Sequence, residues 1–96
     1  MGARRRKGEL EMASELEIKA AIAGRVAAGS VGYSSWTIGV TDDPVRRKGE
    51  HSNTEHWMQW KADSEAAARN VEKYFLDKGM KGGTGGSGTA DYVYIF

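Results

Sequence analysis

The stretch "WTIGVTDDPVRRKGEH", Trp36 to His51, decides how this chain folds. "WTIGVT" alternates, with Trp36, Ile38 and Val40 on one side and Thr37, Gly39 and Thr41 on the other, which predicts a half-buried strand. Gly39 inside that strand costs stability, so something approaches the backbone closely there. "TDDP" then opens a short basic helix, with Asp43 at the cap and Pro44 at the first helical position. The helix runs toward Gly49 and His51. Arg47 and His51 are four residues apart and project from the same helical face.

Upstream, Ser14 caps a helix with Glu15 and Glu17 in its first turn, where negative charge suits the dipole. Ile18, Ile22 and Val26 form its apolar stripe, with Ala21 beside them, and Gly29 stops it. Downstream, "HWMQWKA" predicts a second strand, with Met58, Trp60 and Ala62 opposite Trp57, Gln59 and Lys61. Asp63 or Ser64 caps "SEAAARNVEKYFLDKG", whose buried stripe is Ala67, Ala68, Val71, Tyr74 and Phe75, and Gly79 closes it. "DYVYIF" is a third strand, with Tyr92, Tyr94 and Phe96 on one side and Val93 and Ile95 on the other. A strand this apolar must be paired, because left free it is an aggregation edge. The expected architecture is α+β: a small three-stranded sheet packed with about three helices.

Ninety-six residues make one small domain. Residues 1–13 read as a basic, disordered arm, residues 14–96 as the domain, and the Gly-rich run 82–88 as a flexible loop. The formal net charge is +1; Arg4, Arg5, Arg6 and Lys7 supply +4, which leaves −3 on the remainder. The body therefore lacks the footprint of a strong polyanion binder, and nucleic-acid affinity has to come from the arm or a local basic patch. There is no cysteine, which excludes disulfides and thiolate zinc sites. No apolar run approaches a membrane span and the N-terminus lacks a signal-peptide core, so the expectation is no membrane partner and a cytoplasmic, intracellular protein. "GGTGGSG" lacks the Gly-Lys-Ser/Thr ending of a phosphate-binding loop. His51 and His56 lie five apart, which is not a metal-pair spacing on one helix. Of Trp57 and Trp60, on opposite strand faces, one belongs to the core and the other is free to stack bases or anchor an interface.

"TIG", "TDDP" and "RKGEH", followed by the Ala-rich helix "SEAAARNVEKYF", resemble the second half of the GIY-YIG nuclease signature over roughly residues 36–75. The resemblance implies a metal-dependent endonuclease acting on DNA. Arg47 would bind the scissile phosphate, His51 would assist proton transfer, and Glu72 would hold Mg²⁺ or Mn²⁺, with Arg46 and Lys48 as further nucleic-acid contacts. Two departures stand out. Thr37 replaces the tyrosine of the second motif, and a threonine hydroxyl is a poor proton relay. The first motif strand is not evident, since "IKAAIAGRVAAG" reads as helix and only Gly24–Val26 suggests a remnant of it. Tyr92 and Tyr94 are the remaining sources of a phenol. The alternative implied by these departures is a catalytically degenerate module that binds nucleic acid or a protein partner without cleavage.

Overall fold

The computed structural model describes residues 12–51, 54–82 and 89–96. The bulk of the basic arm and of the Gly-rich run lie outside them. Three helices, α1 (Glu15–Ala28), α2 (Pro44–Glu50) and α3 (Glu65–Asp77), accompany five strands, β1 (Met12–Ala13), β2 (Thr37–Thr41), β3 (Met58–Ala62), β4 (Lys81–Gly82) and β5 (Tyr92–Ile95). The α+β class is as expected, but the sheet has five strands rather than three, in the order β1-β3-β5-β2-β4. The two additional strands are two-residue edges, β1 parallel to β3 and β4 parallel to β2. Two residues are too few to show alternation, so neither was visible as a pattern. Met12 and Ala13, read from the sequence as arm, are thus part of the sheet, and Gly82, read as loop, pairs with Ile38.

Each helix begins where its side chains satisfy orphan backbone donors. Ser14 and Glu17 form a reciprocal capping box, with the Ser14 hydroxyl accepting from the Glu17 N–H at 3.1 Å and the Glu17 carboxylate from the Ser14 N–H at 2.8 Å. Asp43 accepts from the Arg46 N–H at 3.0 Å ahead of Pro44. Ser64, not Asp63, caps α3 by accepting from the Ala67 N–H at 3.0 Å. Past α3, Gly79 takes φ +113°, a left-handed conformation that disfavours a Cβ.

β5 sits at the centre of the sheet, antiparallel to β2 on one side and β3 on the other. Its two faces diverge as the alternation predicts. Val93 and Ile95 are fully buried with Ile38 and Ala62 against the stripes of α1 (Ile18, Ile22, Val26) and α3 (Ala67, Ala68, Val71, Phe75). Each fully buried aliphatic or Phe side chain contributes about 1.5–3 kcal/mol, so this layer accounts for most of the fold's cohesion. Two expected stripe members are not buried. Ala21 is exposed, and Tyr74 turns outward, with the Lys19 and Lys78 ammonium groups over its ring at 4.6 and 5.2 Å. Gly24–Val26 belong to α1 and form no strand. The antiparallel neighbour of β2 is the C-terminal β5.

The opposite face of the sheet carries Gly39, Gln59 and Tyr94 in one cross-strand row. α2 lies over this face: the ring of His51, its capping residue, is 4.6 Å from that of Phe96 and 5.9 Å from that of Tyr94. The sheet therefore separates α2 from α1 and α3.

Candidate active site

The site is organised around a phenol. Register places Tyr94 directly across from Gly39, and its ring lies flat over the glycine. A Cβ at position 39 would collide with the Tyr94 hydroxyl and ring carbons. This is the close approach that a glycine within a strand foreshadows. The ring is held on its other side by Trp57, which stacks on it at 4.4 Å between centroids and 11° between planes. Trp57 also lies parallel to the neighbouring Phe96 ring, at 5.7 Å and 10°, and Phe96 is 6.2 Å from Tyr94. Trp57 is itself fixed by its indole N–H, which donates to Gln59 Oε1 at 2.9 Å. Trp60, on the other face, packs against the core.

Tyr94 is fully buried, and its hydroxyl has no hydrogen-bond partner among the described residues. Burial raises its pKa above the ordinary 10.0; the Arg47 charge opposes that rise, and the Glu72 and Glu50 carboxylates add to it. The phenol is therefore protonated at neutral pH, and three charged groups from α2 and α3 converge on it electrostatically.

Arg47 comes from the inner face of α2 and is only 8% exposed. Its Nη1 donates to Glu50 Oε1 at 2.7 Å. Its Nε is buried and has no acceptor among the described residues. An unsatisfied buried N–H costs about 1–3 kcal/mol, and more where it belongs to a charged group. His51 presents a second unpartnered buried nitrogen, Nε2. Its backbone N–H ties it to the same turn, donating to the Arg47 carbonyl at 3.2 Å. A guanidinium N–H, an imidazole nitrogen and a phenol O–H are thus unsatisfied among the described residues; the His51 and Tyr94 rings lie 5.9 Å apart and the Arg47 charge acts on the phenol. Together they can bind a tetrahedral oxyanion such as a phosphate and exchange a proton with a group attached to it.

Glu72 is on α3, which packs on the other face of the sheet from α2, and its charge and that of Arg47 both act on the Tyr94 phenol. The carboxylate that contacts Arg47 is Glu50. Among the described residues β4 pairs with β2 at Thr37 and Ile38, next to Gly39. The Glu72 charge acts on the Tyr94 phenol that lies over Gly39. Burial raises the Glu72 proton affinity above the ordinary 4.5, and the Arg69 charge partly offsets it. A half-buried carboxylate held this way gains from a cation. Among the described residues no three carboxylate, imidazole or thiol groups gather as a ready-made cage.

Arg46 is exposed and bridges Asp42 at 3.4 Å and Glu50 at 3.8 Å. Such surface pairs contribute about 0–1 kcal/mol, so the guanidinium can exchange a carboxylate for a phosphate at little cost. Lys48 is half-buried on the same helix. Sequence reasoning named Tyr94 only jointly with Tyr92, and missed Glu50 as the Arg47 partner, although the i,i+3 spacing of the pair was a readable signal.

Comparison with protein-family models, curated proteins and solved structures finds no match to this chain.

Proposed function

We propose that this chain is a GIY-YIG-like, divalent-metal-dependent endonuclease that hydrolyses DNA phosphodiester bonds. The observation that supports the reading most is the buried, unpaired Tyr94 hydroxyl over Gly39, which is under the influence of Arg47 and Glu72. It supplies from β5 the phenol that Thr37 cannot provide. In this reading the C-terminal strand stands beside "TIGVT" in the role of the missing first strand.

Arg47 Nε–H donates to a non-bridging phosphate oxygen, and the charge of the guanidinium favours the more negative transition state. The Tyr94 O–H donates to the phosphate or to the attacking water and fixes its direction, because the ring is clamped between Gly39 and Trp57. His51 Nε2 accepts the proton of that water as its oxygen bonds to phosphorus. The bond to the leaving oxygen breaks, and that oxygen takes its proton from solvent. Mg²⁺ or Mn²⁺, held by Glu72, would polarise the phosphoryl oxygen and stabilise the leaving oxygen.

The test is cleavage of labelled single-stranded and duplex DNA with Mg²⁺ or Mn²⁺. Arg47→Ala, Tyr94→Phe and Glu72→Ala are each expected to lower the rate by about 10²–10⁴-fold. Tyr94→Phe is expected to unfold at the same or higher temperature than wild type, since it removes an unsatisfied buried hydroxyl. Cleavage that survives Arg47→Ala or Glu72→Ala undiminished would sink the assignment. Arg47-dependent binding without cleavage under any metal would instead identify a degenerate binding module. The ion pair that already links Arg47 to Glu50 gives that second reading its support.

A further inference from the structure

A concavity lies where β2 begins and β5 finishes. It has a volume of about 450 Å³ and is lined by Arg25, Ser30, Val31, Trp36, His56 and Phe96. That volume suits a small ligand rather than a single water. Arg25, from the last turn of α1, places its guanidinium carbon 5.1 Å from the centre of the Trp36 ring. Trp36 is 7% exposed, and its indole Nε1–H is buried with no acceptor among the described residues. Buried indole N–H groups are ordinarily paired, so Trp36, one of the lining residues, carries an unsatisfied donor beside the Arg25 guanidinium.

The pocket is continuous with the candidate active site through one residue. The Phe96 ring that lines it is also the ring packed 4.6 Å from His51 and stacked with Trp57. Phe96 in turn lies beside Tyr94, with 6.2 Å between the ring centroids, so the pocket wall and the phenol belong to neighbouring rings.

We infer that this pocket receives one unpaired nucleobase of the strand whose phosphate lies at Tyr94, so that the preferred substrate is single-stranded DNA. The inference rests on the nuclease reading above. A nucleobase has π faces for Arg25 and Phe96 and carbonyl or ring-nitrogen acceptors for the Trp36 N–H. Arg25 adds charge complementarity to the adjoining backbone. A paired base has both faces in the duplex stack and cannot enter without being extruded, which is why an unpaired strand is favoured.

The test uses a short fluorescein-labelled DNA single strand, its duplex, and a series of strands with one base removed at each position in turn. Binding is followed by anisotropy with Ca²⁺ in place of Mg²⁺. In wild type, removal of the base at one position is expected to weaken binding by about tenfold, and the duplex is expected to bind more weakly than the strand. Both Arg25→Gln, a partly exposed change on α1, and Trp36→Phe, which keeps the stack but lacks the N–H, are expected to erase that positional effect. Circular dichroism verifies that both variants are folded. Equal affinity for every base-deleted strand, with binding still dependent on Arg47, would overturn the pocket while leaving the nuclease reading intact. A positional effect that persists in both variants would place the base elsewhere and overturn it too. No binding of any strand would overturn both.

Discussion

Gly39 and Tyr94 constrain each other. The phenol can lie over β2 only because position 39 has no Cβ. Gly39→Ala is therefore expected to destabilise the domain by about 1–3 kcal/mol, the usual cost of overpacking, measured by urea unfolding. It should also displace the ring and abolish cleavage. Glu72 gives a second test at this scale, through pH. Its folded-state proton affinity is raised above the ordinary 4.5 by burial. The folded chain thus holds the proton at pH values where the unfolded chain has released it. Stability falls as pH rises from about the ordinary carboxylate value through the folded value, then levels off. Glu72→Gln is expected to unfold at a higher temperature than wild type at neutral pH, with the advantage gone in acid below that window. Mg²⁺ should raise the melting temperature of wild type and leave that of the variant unchanged. A variant no more stable than wild type at pH 7 would show that Glu72 is not strained.

At the scale of elements, α2 is the weak part. It has seven residues and depends on its Asp43 cap and Pro44 start. Isolated helices this short are marginal, so the cap carries much of the helix's persistence. Asp43→Ala is expected to cost about 0.5–2 kcal/mol of stability. The same variant should reduce phosphate-dependent activity, because Arg47 and His51 lose their common frame. Hydrogen exchange should show faster amides in residues 46–51 while those of α3 stay protected. α3 is the contrast, with a Ser64 cap and a continuous buried stripe. Its existence was legible in the sequence, and its start to within the choice of Asp63 or Ser64, because capping and periodicity agree there. β1 and β4 were not legible, since a two-residue strand has no period and its existence depends on which chain segment arrives beside it.

For the whole molecule, the decisive fact is that the last described strand is the middle one. β5 pairs with both β2 and β3 and contributes Val93, Tyr94 and Ile95 to the interior. Removing residues 91–96 is expected to abolish cooperative unfolding rather than shorten an edge, as read by circular dichroism across a urea titration. A truncated chain that still unfolds with a sharp transition would contradict this topology. The same arrangement explains how the site is assembled. Arg47 and His51 come from the middle of the chain, Glu72 from the helix after it, and the phenol from a strand more than forty residues beyond Arg47.

The sequence by itself determined the local structure. Caps at Ser14, at Asp43 and at either Asp63 or Ser64, alternation in "WTIGVT" and "DYVYIF", and the stripes of α1 and α3 are short-range preferences of the backbone and of side-chain periodicity. They also made Gly39 stand out as a place of close approach. Only the tertiary structure decided which strand lies beside β2, that Tyr94 rather than Tyr92 covers Gly39, and that α2 and α3 sit on opposite faces with a phenol between their charges. Pairing register and sheet order are set by contacts between residues distant in the chain, and those contacts leave no periodic trace in the sequence.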